Sequence, residues 1–235
     1  MNILTFFLLI VCIWPATAQD HSTSANIIVV NTAADLPLGV LWDKTSESDD
    51  SLRIEGRRYF EEVPLEGTIV FNGSQKEYLI REIRYNIFSS DLEIKIQGVT
   101  KYIRMPSVNY FTLIQSGNKI KFIRWMSPDG MLMPATGYFE TLISGEVSVL
   151  RYHYAGIEST TILGKQGKRK IFRGVIYHLI KGKNIYKASK RRLIKKILTV
   201  PGFNAKKVIK RKRLKIKNIY DLVTLVELYN ARNNK

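Results

Sequence analysis

Five residues near the middle of the chain, Leu92-Glu93-Ile94-Lys95-Ile96, alternate strictly between apolar and charged side chains. Successive side chains of an extended strand point to opposite faces, so this run sets three apolar groups on one face and two charges on the other. It asks for a sheet with one buried face. Similar short runs recur at Thr68 to Phe71, Glu77 to Asn86, Lys101 to Arg104, Tyr110 to Ile114, Lys119 to Trp125, Glu146 to Tyr154, Lys170 to Ile180 and Ile185 to Lys187. Turn residues stand between them: Asn72-Gly73, Ser89-Ser90-Asp91, Gln97-Gly98, Ser116-Gly117-Asn118, Asp129-Gly130 and Gly182-Lys183-Asn184. Strands this short, punctuated this regularly, form an antiparallel meander. No helix-length segment separates consecutive strands, which excludes a parallel βαβ sheet and the nucleotide sites built on one.

The period changes after residue 188. Ser189 is placed to cap a helix carrying Leu193, Ile194, Ile197 and Leu198, which Pro201-Gly202 stops. Asn204 is placed to cap a second, running through Val208 and Ile209 to Leu214. A third follows Asn218, with Asp221 three residues on as in a short capping box and with Leu222, Leu225, Val226 and Tyr229 on one stripe. The fold class predicted is therefore α+β: an antiparallel β-meander sheet or partly closed barrel, then a small C-terminal three-helix segment. Four segments follow: a signal peptide at 1–18, an N-terminal strand and acidic flexible stretch at 19–55, an antiparallel β domain at 56–187, and a basic helical tail at 188–235.

Charge divides along the same line. Residues 1–150 carry 13 Lys and Arg against 17 Asp and Glu, whereas residues 151–235 carry 24 against 3, giving −4 and +21. From Lys165 to Lys217 there are 21 basic residues and no acid. The acidic group Glu47, Asp49 and Asp50 is able to compensate only part of this.

Residues Ile3 to Trp14 form an apolar run with one polar member, Thr5, followed by Pro15 and Ala16-Thr17-Ala18. The run is shorter than the roughly 18 residues needed to span a bilayer, and the Ala-x-Ala sequence suits cleavage before Gln19. Leu9-Ile10-Val11-Cys12 fails as a lipobox because Ile10 and Val11 are bulky, so Cys12, the only cysteine, belongs to the signal. An exported chain from Gln19 then has no disulfide, no thiolate metal site and no cysteine nucleophile.

Several blocks resemble one group of proteins. Gly56-Arg57-Arg58-Tyr59-Phe60, Glu66-Gly67-Thr68-Ile69-Val70, Ile83-Arg84-Tyr85-Asn86 and Asp91-Leu92-Glu93-Ile94 are similar to the opening of uncharacterised exported proteins of Bacteroidota. Tyr138 through Val147 with Leu150-Arg151, and the basic tail ending Leu228-Tyr229-Asn230, are similar to their later part. The resemblance spans about residues 56–235 and implies a periplasmic or outer-envelope setting. It implies no activity and assigns no functional residue.

Catalytic material is scarce. The histidines are His21, His153 and His178, none in a paired metal-ligand spacing, and the last two read as sheet-surface residues. Neither a Gly-x-Ser-x-Gly elbow nor a P-loop occurs, since Gly164 to Arg169 lacks the spacing. No cofactor or metal site is expected. Glu61, Glu62, Glu77, Glu82 and Glu93 read as solvated strand residues, although carboxylates converging in a β-domain pocket would make a hydrolase the alternative. The strongest positive feature is a set of candidate anion-binding residues, Lys190, Arg191, Arg192, Lys195 and Lys196 on one helix and Lys206, Lys207, Lys210, Arg211, Lys212 and Arg213 on the next. Such density neutralises phosphates, and nucleic-acid binding by these helices is a second alternative. Export argues against genomic DNA and for anionic membrane surfaces, lipopolysaccharide or polysaccharide, or else for a solvated basic face with no specific ligand.

Overall fold

The structure is a computed structural model that describes residues 26–42, 54–103, 105–124, 137–159 and 169–234. The signal segment, His21, the Glu47 to Asp50 acids, Asp129-Gly130 and Gly164 to Lys168 lie outside the described residues. Twelve strands form one sheet, which does not close. They are β1 (Ile27–Val29), β2 (Leu41–Trp42), β3 (Leu65–Phe71), β4 (Glu77–Asn86), β5 (Asp91–Ile96), β6 (Val99–Ile103), β7 (Val108–Gln115), β8 (Asn118–Ile123), β9 (Phe139–Ile143), β10 (Val147–Ser159), β11 (Arg169–Lys181) and β12 (Asn184–Lys187). Three helices follow: α1 (Arg191–Ile197), α2 (Ala205–Lys212) and α3 (Ile219–Asn230). The α+β class and the segregation of helices to the C-terminus are as the periodicity predicts.

The sheet order is β12-β11-β10-β9-β8-β7-β3-β4-β5-β6-β2, with β1 set parallel against the first half of β4. That parallel pair is the exception to an antiparallel sheet. It arises because β5 covers only Ile83 to Asn86 of β4, leaving Glu77 to Leu79 free on that side. Tight hairpins join β5 to β6 and β7 to β8 through Gln97-Gly98 and Ser116-Gly117, with φ of +51°/+80° and +50°/+79°. Positive φ at both loop residues matches strand twist, which is why glycine follows a polar residue in each.

A strap at residues 54–60 reaches across the open sheet. Glu55 pairs with the start of β11, donating its N–H to the Arg169 carbonyl while its own carbonyl accepts from Ile171. Farther along, Phe60 donates to the Tyr85 carbonyl on β4, and the Arg58 carbonyl accepts from Ile87. The strap thus links two strands that stand six places apart in sheet order.

Two cores result. The larger holds Ile69, Ile80, Ile83, Leu92, Ile94 and Ile103 with an aromatic cluster in which Phe111 stacks on Phe122 at 4.7 Å and Tyr85 packs edge-on to both. The smaller joins Val147, Val149 and Leu179 of the sheet to Ile194, Leu198, Leu222, Leu225 and Val226 of the helices. The α3 stripe is buried along its whole length. Polar groups fix how α3 sits: Asn230 accepts from the Val147 N–H (3.0 Å) and donates to its carbonyl (2.8 Å), extending the strand ladder with a side-chain amide. Tyr229 donates to Glu146 at 2.8 Å and accepts from Lys181 at 2.7 Å. A side chain at Gly145 would collide with the Asn230 amide, so glycine is required there.

Local details depart from the sequence reading. Ser189 does not cap α1; the turn in which Lys190 donates to the Lys187 carbonyl leaves Ser189 outside the first helical turn, and the capping position falls on Lys190 without a side-chain bond. Asn204 and Asn218 do cap, accepting from Lys207 and Tyr220. Asp221 reaches back to the Lys215 N–H at 2.6 Å, not to Asn218, so it anchors the connection before α3 instead of completing a capping box. Strand β9 is absent from the alternating runs because Phe139 and Glu140 are both buried.

Replacing Leu225 with alanine removes a fully buried side chain from the smaller core. A loss of about 2–5 kcal/mol is expected, read as a lower urea midpoint. Glu146 gives a pH test. Hydrogen bonds from Tyr229 and then Arg232 hold its carboxyl below the ordinary 4.5, so its contribution is full above that value and is lost as pH falls through the lower folded value. The stability difference between the wild type and Glu146→Gln is therefore constant from neutral pH down to 4.5 and shrinks below it, as urea melts across that range report.

Candidate functional site

Helix α2 is amphipathic in the simplest way. Ala205 is buried, Val208 and Ile209 are half-buried, and Lys206, Lys207, Lys210, Arg211 and Lys212 stand in solvent. Arg213 ends it in the left-handed region (φ +55°), also exposed. In α1, Ile194 is buried while Arg191, Arg192 and Lys196 are exposed and Lys195 is half-buried; Lys190 precedes them, exposed. Between the helices, Val200-Pro201-Gly202-Phe203 closes a turn in which Phe203 donates to the Val200 carbonyl at 2.9 Å and Gly202 has φ +80°. Proline then glycine at its centre suit a type II turn.

Among the described residues, none of the eleven candidate cations forms an ion pair. The arrangement also works against helix stability at four places. Arg191 and Arg192 begin α1, and Lys206 and Lys207 begin α2, where the helix dipole disfavours positive charge. Lys195, Lys196, Lys210, Arg211 and Lys212 sit in last turns, where it favours them.

Two adjoining grooves run along this module. One, of about 610 Å³, lies between β11, the β12–α1 connection and the start of α3, with Lys187, Arg191 and Lys217 beside Val175, Tyr177, Ile216, Ile219 and Leu222. The other, of about 590 Å³, shares Arg191, Ile216 and Lys217 and continues past Lys195, Ile209, Leu214 and Lys215. Together they make one furrow with an apolar floor. A third hollow, about 550 Å³, lies at the α1–α2 turn beside Lys207 and Arg211. Of the sequence candidates, Arg191 and Lys195 line the furrow and Lys207 and Arg211 the third hollow; Lys190, Arg192, Lys196, Lys206, Lys210, Lys212 and Arg213 line none of the three. Lys187, Lys215 and Lys217 were outside the candidate set, although the same acid-free run contains them. Lys187 ends β12, and Lys215 and Lys217 lie in the α2–α3 connection, so none of the three is on a helix.

Three readings of single residues are corrected. His153 and His178 are buried at 7% and 4% exposure, not on the sheet surface. His153 Nε2 lies 2.6 Å from Glu140 Oε2, and Arg151 is 3.4 Å from the same oxygen. Phe60 packs edge-on against His153 with ring centres 5.0 Å apart, so this His–carboxylate pair is sealed inside the larger core. At His178, burial and then the charge of Lys187 push the imidazole below its usual range. Glu93 is likewise 5% exposed and accepts from the Tyr59 hydroxyl, whose pKa is raised by burial and then by the Glu93 charge. It is not a solvated strand residue. Glu82, by contrast, meets Lys95 at 3.7 Å with both side chains about half exposed.

No family model, curated protein or solved structure matches this chain. Among the described residues no helix is long and apolar enough to cross a membrane.

The charges of α2 are surplus to the fold. Replacing Lys206 and Lys207 together with glutamine relieves the unfavourable dipole interaction and is expected to raise stability by about 0.3–1 kcal/mol per site. A thermal melt showing a loss instead would mean that these lysines hold the helix in place.

Proposed function

We propose that this protein is an exported, non-enzymatic envelope protein whose basic helical module associates with anionic surfaces. The observation that carries the reading is the set of eleven cations, all exposed but the half-buried Lys195, with no ion pair among the described residues and four of them where the helix dipole opposes them. Charges that the fold does not use, kept where they cost stability, point to an external counter-charge. Export rests on Met1 to Ala18 and on the resemblance to exported Bacteroidota proteins. In that setting phosphate-bearing lipid headgroups are the anions at hand. A polybasic surface gains about 1 kcal/mol per Lys or Arg near such a layer.

Burial of the His153–Glu140 pair supports the non-enzymatic part, since a general base needs access to the proton it moves. The helices carry little that reads bases: their polar faces are almost entirely Lys and Arg, which contact phosphate without reporting sequence.

Co-sedimentation with phosphatidylglycerol-containing and pure phosphatidylcholine vesicles tests the reading. The protein is expected to favour the anionic vesicles at about 0.15 M salt, where the Debye length is about 8 Å, and to release as salt rises. Glutamine at Lys206, Lys207, Lys210, Arg211, Lys212 and Arg213 together should weaken binding by about 100-fold or more. Equal binding to both vesicle types, or an unaffected variant, would make the charge a solvated face.

A further inference from the structure

A basic surface that only neutralises phosphates needs no apolar floor. Yet the furrow beside α1 places five cations, Lys187, Arg191, Lys195, Lys215 and Lys217, around Ile209, Leu214, Ile216 and Ile219, with no acid among its lining residues. Val175, at the β11 side, is 45% exposed. Each groove is within the roughly 300–1,000 Å³ range of small-molecule sites, which combine mostly apolar walls with a few placed polar groups.

We infer that this furrow takes one lipid at a time: an amphiphile with a phosphate monoester head and a single alkyl chain, the chain on the apolar floor and the phosphate among the rim cations. This rests on the anionic-surface reading above and narrows it. Charge complementarity selects the head, because a zwitterionic head would add a cation to a rim of five. The floor selects the chain, because a polysaccharide or a nucleic acid has no alkyl group and would leave Val175 and Ile219 in water. The rim cations come from one strand end, one helix and one connection: Lys187 ends β12, Arg191 and Lys195 lie on α1, and Lys215 and Lys217 lie between α2 and α3. The site therefore exists only when the helices are docked on the sheet through the smaller core.

Calorimetric titration with decanoyl-lysophosphatidate below its micelle concentration tests this, alongside glycerol 3-phosphate and decanoyl-lysophosphatidylcholine. One lysophosphatidate should bind per chain, at least tenfold more tightly than either control. Shortening the chain to octanoyl should weaken binding by about 15-fold, each buried methylene being worth about fourfold. Val175→Trp, which fills the floor from an exposed position, should lower the affinity tenfold or more, and so should the exposed rim pair Arg191→Glu with Lys217→Glu. The six-site α2 variant should keep lysophosphatidate binding while losing vesicles. Affinity independent of chain length, glycerol phosphate binding equally well, or both furrow variants behaving as wild type would overturn the furrow. Wild-type protein that ignores anionic vesicles would overturn the broader reading instead, so the two failures are told apart.

Discussion

Strand β10 is the element on which the rest of the structure depends. Val147 and Val149, near its start, form part of the small core that holds the helices, whereas His153, farther along, lies in the large core bonded to Glu140. One continuous strand therefore ties the sheet domain to the basic module. Its pairing with β11 runs unbroken from Val147–Lys181 to Ser159–Arg169, the longest ladder in the sheet. Among the described residues the seam between β8 and β9, by contrast, consists of Phe122–Glu140 and Ile123–Phe139. Residues 54–60 compensate by strapping β11 to β4 across the gap, and the aromatic cluster fills the space beneath them.

This arrangement explains how so basic a segment folds. An acid-free run has no local counterions, so stability has to come from apolar burial. Each of Leu222, Leu225 and Val226, fully buried, contributes roughly 1.5–3 kcal/mol against exposure. The polar anchors between helices and sheet are few and specific, and the acid among them, Glu146, comes from the sheet side. Because the helices hang on the sheet by their apolar faces, their cations are free to face outward.

What was legible in the sequence was what neighbouring residues decide. Gln97-Gly98 and Ser116-Gly117 announce hairpins because two successive positive φ values are a local requirement, and Asn204 and Asn218 announce helix starts because a cap bonds two or three residues ahead. The α3 stripe follows from its period alone. Illegible features depend on distant partners. Glu93 reads as a solvated strand residue until Tyr59, 34 positions away, supplies its hydrogen bond, and His153 reads as a surface residue until Glu140 and Phe60 enclose it. The density of cations was visible, but the furrow was not. Lys187, Arg191 and Lys217 converge only when the α1–α2 turn folds the chain back onto the sheet.

The proposed association implies an orientation, in which the helical module, and not the far edge of the sheet, faces the anionic surface. Nitroxide labels at Lys210 on α2 and at Val99 on β6, both exposed, measure this directly on phosphatidylglycerol vesicles. A water-soluble relaxation agent is expected to lose access to the Lys210 label on binding while the Val99 label stays fully accessible. Shielding of Val99, or equal access at both sites on bound protein, would contradict it.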